Sequence, residues 1–165
     1  MPIADHILSE LRAVLGDRLS TGESDRTLHG ASETFHSAPP PDAVAWPLTT
    51  EEVSAVLKIC NAHGVPAIGW GTGTSLEGHA LAVRGGLVLD MMRMDRVLDI
   101  RPADLLAVVQ PGVTREALNT ELRATGLMFP VDPGANASLG GMASTRASGT
   151  TAVRYGTMRQ NVLGL

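Results

Sequence analysis

Ile3, Ile7, Leu8, Leu11, Val14 and Leu15 recur at spacings of three and four, which predicts an opening helix with one apolar stripe. Gly16 stands where a left-handed C-terminal cap belongs. The pattern then lapses. Residues 20–37 are polar and turn-rich, and Pro39-Pro40-Pro41 stiffens the chain as it enters the next stretch. This predicts a docking helix and polar connector over 1–38 and a separate domain over 39–165. Ala43 to Trp46 reads as a strand, and Thr49 followed by Glu52 has capping-box spacing. Val53, Val56, Leu57 and Cys60 then repeat at i, i+3, i+4 and i+7, the signature of one buried helix face ending near Gly64. Pro66 to Gly69 follows as a second strand and completes a βαβ unit.

Further along, Leu87 to Asp90, Arg96 to Arg101 and Leu105 to Gln110 read as strands, the last two joined as a hairpin through Pro102-Ala103-Asp104. Thr114 can cap a helix carrying Ala117, Leu118 and Leu122, stopped at Gly126. Crossovers and hairpins in one chain make the fold class α+β. At 165 residues the chain suits one ordinary domain or the first part of a larger protein. Its apolar end, Asn161 to Leu165, reads as the entry to a strand and suggests truncation.

Composition narrows the function. Aromatic residues make up 3% while glycines number 18, so the core closes through aliphatic side chains and close backbone approach. A net charge of -4 without clustered Lys and Arg argues against a nucleic-acid surface. The single cysteine, Cys60, excludes an internal disulfide and reads as a small core residue in a protein of the reducing cytoplasm. Asp5 and Glu10 interrupt any signal-peptide pattern, and no apolar run reaches the roughly 18 residues a membrane span needs, so membrane contact is at most peripheral. His6, His29, His36 and His63 are dispersed without ligand spacing; surface or capping roles are expected, and no metal site.

Residues 69–78, GWGTGTSLEG, carry the candidate chemistry. A Walker A loop fails because Gly78 is followed by His79 and Ala80, and a Rossmann fingerprint is weakened by Leu76 at its third glycine position. A nest of converging backbone N–H groups around Gly71 and Gly73, with hydroxyls from Thr72, Thr74 and Ser75, suits a diphosphate; a ligand-free glycine hairpin is the alternative. A second cluster reads PVDPGANASLGGMASTRASG over 130–149. Asp132-Pro133-Gly134 makes a turn and Asn136 or Ser138 can cap a helix. If that helix runs on, Ala137, Gly140, Gly141, Ser144 and Ser148 line one nearly bare face. Such a face suits helix packing or a flat or charged ligand. Both clusters are expected to converge on one diphosphate bridge.

GTGTSLEGH, VVQPGVTREALN, FPVDPGANASLGGMASTRASGT and AVRYGTMRQNVLGL closely resemble the FAD-binding domain of the D-lactate dehydrogenase (cytochrome) group, within the vanillyl-alcohol oxidase and p-cresol methylhydroxylase superfamily. The resemblance runs from about Arg26 to the last residue. It implies a PCMH-type FAD-binding fold of two α/β subdomains, the second incomplete here. It further implies diphosphate contacts at Gly71, Thr72, Gly73, Thr74, Ser75 and Gly78, and a turn beside the adenosine half at Pro111 and Gly112. Diphosphate and flavin contacts would come from Asp132, Pro133, Ser138, Gly140, Gly141, Ser144, Ser148 and Gly149. Relatives that attach FAD covalently use a loop histidine; Thr74 holds the matching position, so the resemblance implies dissociable FAD. Arg146 reads equally as a cation near the flavin edge or as a surface residue. The implied activity is oxidation of a D-2-hydroxy acid, with electrons passed to a cytochrome or quinone in the cytoplasm or at the inner membrane's periphery. No catalytic residue can be assigned within this stretch; those residues are expected in a cap domain.

Overall fold

The computed structural model describes residues 2–165, which fall into two compact units, one ending at Arg93 and one running from Met94 to Leu165. In the first unit, helix α1 (Asp5–Leu15) buries Ile7, Leu11 and Leu15, the predicted stripe, with Ile3 beside them. Each such side chain contributes about 1.5–3 kcal/mol on full burial. Gly16 has a positive φ of 59° but a ψ of -131°, so it diverts the chain into a 3-10 turn (Gly16–Arg18) instead of forming a left-handed helical cap.

Then come β1 (Leu19–Ser20), α2 (Glu23–Leu28), β2 (Ala43–Ala45), α3 (Thr50–His63), β3 (Ala67–Trp70) and β4 (Leu87–Asp90). The sheet order is β1-β2-β4-β3, with β4 parallel to both β2 and β3. The β2-α3-β3 crossover thus leaves a slot that β4 fills, and all four β4 residues are buried. That explains its uninterrupted apolar run before Asp90.

Thr49 caps α3 as expected, its Oγ1 accepting from the Glu52 amide at 3.2 Å. The reciprocal half of a capping box is missing. Glu52 instead accepts from the Leu48 amide at 2.8 Å and from both terminal nitrogens of Arg18 at 2.6 Å. The Arg18 guanidinium holds the Glu52 carboxyl down at about 2. The buried face of α3 is narrower than expected: Val56 and Cys60 are buried, whereas Leu57 is exposed. Gly64 closes the helix in the left-handed conformation at φ 64°.

The boundary expected at 38/39 does not separate compact units. Residues 1–38 include β1 and α2, and α1 shares one core with β2, β4 and α3. An amphipathic helix must cover its apolar stripe, and here the sheet and α3 cover it. The Arg26 Nε–H also donates to the Pro41 carbonyl at 2.7 Å, tying the presumed connector across the proline run.

The second unit opens with an antiparallel hairpin of β5 (Val97–Arg101) and β6 (Leu106–Val109), turned through Pro102–Asp104 and Leu105 at φ 54°. Helix α4 (Arg115–Leu122) is capped by the Thr114 hydroxyl, which accepts from Ala117, and its final 3-10 turn ends at Gly126. Leu118 and Leu122 are buried; Ala117 faces solvent. Three short helices follow: α5 (Leu139–Ser144), α6 (Ala152–Tyr155) and α7 (Met158–Asn161). The strand entry expected at 161–165 is not formed, since α7 occupies Asn161 and no regular element follows it. Val113, Leu118, Val131, Met142 and Met158 anchor this unit's own core. Among the described residues no helix is long and apolar enough to cross a membrane.

Candidate functional site

Strand β3 delivers the glycine loop. Its last residue, Trp70, lies beneath Gly73, where φ is 70° and an added Cβ would stand 2.5 Å from the indole Cζ2. Both the backbone sign and the space require glycine there. Gly78 is likewise at φ 74°. The Thr72 and Thr74 hydroxyls lie 3.1 Å apart, and Ser75 Oγ is 2.7 Å from His79 Nδ1. Among the described residues, the amides of Thr72 to Ser75 donate to no carbonyl or side chain. A run of unspent N–H groups on a backbone bent by glycine is the condition for a nest.

The loop borders an open hollow of about 310 Å³ lined by Thr72, Gly73, Thr74 and Trp70 on one side and Leu28, Ala31, Ser32 and Glu33 on the other. Ser32 Oγ is buried and has no hydrogen-bond partner among the described residues. A second open depression of about 470 Å³ follows the outside of α3 along Thr50, Val53, Ser54, Leu57, Lys58 and Asn61.

Trp70, which lines the hollow, packs against the ring of His29, part of a polar cluster that the dispersed histidine pattern did not reveal. Of the two roles expected for it, surface or capping, His29 takes the second: it is buried at the C-cap of α2. Its Nδ1 lies 2.8 Å from the Asp25 carbonyl and its Nε2 2.9 Å from Asp90 Oδ2. The Asp25 carbonyl only accepts, so Nδ1 carries a proton, and a carboxylate at Asp90 favours a second proton on Nε2, the imidazolium form. Burial pushes its pKa down, but the Asp90 bond and the Asp25 carbonyl outweigh that, and the net direction is up. Trp46 Nε1–H donates to the same Asp90 oxygen at 2.9 Å, and the Met92 amide to the other at 2.8 Å. The available signal was Asp90 itself, a carboxylate closing an otherwise apolar buried strand and therefore in need of partners.

In the second unit the predicted residues separate into distinct roles. Gly140 is packed against Pro111: an added Cβ would come 2.6 Å from Pro111 Cβ and 2.9 Å from its carbonyl oxygen. Gly141 meets only Ser138 Oγ, at 3.0 Å. Helix α5 ends at Ser144, so Ser148 and Gly149 do not extend its face. The Leu139 and Gly140 amides donate to Val113 and Pro111, which removes most of the anion-binding capacity expected at this helix start. Ser138 takes the N-cap position without a side-chain cap bond, while Asn136 Oδ1 accepts from Glu116 on α4. Ser144 Oγ donates to the Gly140 carbonyl. Gly112 is buried and donates to the Met94 carbonyl at 2.7 Å.

Asp132 clamps two loops. It accepts from Thr150 Oγ1 at 2.7 Å and from the Thr151 amide and hydroxyl at 2.9 Å each, and these bonds lower its pKa to about 2. Gly149 lies directly against the Asp132 backbone, where a Cβ would collide. Pro133 follows the clamp, partly buried. Arg146 is exposed, at φ 53°.

The residues of the first unit fit a diphosphate-bearing cofactor: Thr72, Gly73 and Thr74, with unspent amides and two hydroxyls, line one hollow together with Ser32, whose buried oxygen is orphaned, and a side chain at Gly73 would fill the bend. Likeness to known proteins agrees. Over 162 residues the chain is 52% identical to a protein named probable D-lactate dehydrogenase, mitochondrial, from Danio rerio, covering 98% of this chain and 33% of that protein. It is 46% identical over 165 residues to D-lactate dehydrogenase [cytochrome], mitochondrial, from Arabidopsis thaliana, covering 99% and 29%. Among solved structures, an alkyldihydroxyacetonephosphate synthase superposes with a TM-score of 0.86 at 25% identity, covering 96% of this chain and 32% of that one. The chain therefore spans about a third of the length of these relatives. The expected α+β, PCMH-type fold is the one observed. Residues 41–165 match the family model described as FAD binding domain, and with that match, the fold and the glycine loop in agreement, the chain belongs to that family.

Proposed function

We propose that this chain is the FAD-holding part of an oxidoreductase that converts a D-2-hydroxy acid, D-lactate first among candidates, to the 2-oxo acid. The observation that carries the reading is the run of undonated amides from Thr72 to Ser75 at a glycine-bent turn. When bound, FAD supplies the acceptor for the two electrons leaving the substrate's α-carbon. The protein's share is binding and orientation. Gly71, Thr72, Gly73, Thr74, Ser75 and Gly78 are proposed to hold the diphosphate through main-chain N–H and hydroxyl donors. Within the second unit, Pro111, Gly112, Ser138, Gly140 and Gly141 are proposed as backbone contacts beside α5. Asp132, Pro133, Ser144, Ser148 and Gly149 are proposed to shape the loops around them. Residues 39–165 are proposed as the FAD domain. The names of the relatives support a cytochrome as the electron acceptor, with a quinone as the other choice. A lone buried thiol suits a reducing compartment such as the cytoplasm, whereas both relatives are named mitochondrial.

A second reading is favoured by one observation, the coverage of only about a third of the relatives: the chain is a binding module whose activity needs another polypeptide. Calorimetric titration with FAD, paired with a D-lactate-dependent dye-reduction assay, tests both. Binding without turnover supports the module, and binding with turnover supports the enzyme. Absence of FAD binding overturns both. Because Thr74 offers no covalent attachment, acid precipitation is expected to release all yellow colour into the supernatant.

A further inference from the structure

We propose that the segment around residues 28–33, which precedes the stretch matching the family model, forms a second wall of the nucleotide site, with the Ser32 hydroxyl donating to a diphosphate oxygen. This rests on the reading of the glycine loop given above.

Three observations within the first unit place the segment there. Leu28, Ala31, Ser32 and Glu33 line the same hollow as Thr72 to Thr74. Farther along, a Cβ at Gly78 would stand 3.3 Å from His36 Cδ2 and 3.7 Å from Thr34 Oγ1, so the segment follows the loop to its other end. Ser32 Oγ is buried without a partner, and a buried hydroxyl in that state lacks the hydrogen bond that native interiors nearly always provide.

The segment is held in place by its own contacts. Arg26 donates to Pro41, and Gly30 lies so close to Pro40 that a Cβ would be 2.9 Å from the Pro40 Cα. His29, bonded to Asp90 at the end of β4, pins the chain three residues before Ser32. A hydroxyl with no protein partner, on a segment that lines the same hollow as residues with unspent amides, is chemically matched to an anionic oxygen. Glu33 is exposed and carries the wrong sign for phosphate, so the donors left for phosphate oxygens among the lining residues include Ser32, Thr72, Gly73 and Thr74.

The test is calorimetric titration of the chain and its variants with FAD and, separately, with ADP, which carries the diphosphate without the flavin. Ser32→Ala is expected to weaken both ligands about tenfold, the loss of one hydrogen bond to a charged acceptor. Its thermal midpoint should be unchanged, because the hydroxyl has no protein bond to lose. Ser32→Asp, adding a like charge, should weaken both further. Wild-type affinity for FAD in Ser32→Ala overturns the proposal, as does a loss confined to FAD with ADP unaffected. If the unaltered chain binds neither ligand, the glycine-loop reading fails and this inference fails with it. If the unaltered chain binds and only the variant behaves as wild type, the glycine-loop reading stands and the Ser32 assignment alone is lost.

Discussion

Gly140 and Gly141 are adjacent in sequence and opposite in consequence. A methyl group at Gly140 would meet the Pro111 carbonyl oxygen at 2.9 Å, a backbone atom that cannot swing aside. Gly140→Ala is expected to destabilise the protein by about 1–3 kcal/mol, read from urea unfolding. At Gly141 the nearest atom is a serine hydroxyl, so Gly141→Ala is expected to be neutral or to stabilise by up to about 1 kcal/mol from helix propensity. Equal destabilisation by the two changes would contradict the geometry. The sequence marks both positions as bare, and it reveals Gly73 as the bend of a loop. It does not reveal which helical glycine touches protein, because the touching residue, Pro111, lies on another element. Nor does it reveal that Asp132 is consumed by Thr150 and Thr151, since those bonds join residues 18 and 19 positions apart.

At the scale of elements, periodicity, apolar runs and end signals identified α1, α3, α4 and strands β2 to β6, but not the two-residue β1. They failed for α2, six residues long with no buried member, whose place is set by the Arg26 bond to Pro41 and by His29. They overestimated α5, where the absence of side chains looked like a long face but the helix stops at Ser144. Leu11 is fully buried at the centre of the α1 stripe. Leu11→Ala is expected to reduce the free energy of unfolding by about 2–5 kcal/mol, a transfer loss plus a cavity, measured by denaturant titration. A change below about 1 kcal/mol would show that α1 is dispensable to the core.

For the whole chain, titratable contacts predict a pH window of greatest stability. Glu52 is held at about 2 against an ordinary 4.5, and Asp132 at about 2 against 3.8. Their depressed values mean that their contributions are present above the ordinary values and are lost as pH falls toward about 2. His29 is shifted the other way, so its contribution is complete below 6.5 and is lost as pH rises through its elevated folded value. Thermal midpoints measured from pH 2 to 9 are therefore expected to be highest between roughly 4.5 and 6.5. Glu52→Gln should flatten the acid side and His29→Gln the alkaline side; an unaltered alkaline side in the latter would show that the imidazolium is not formed. The same histidine has an optical consequence. The chain holds two tryptophans, and the ring of His29 is centred 5.9 Å from Trp46 and 4.9 Å from Trp70, the latter touching the bend at Gly73. All indole emission thus originates from one small neighbourhood, and the molecule carries a label-free gauge that responds wherever the glycine turn or its supporting cation is disturbed.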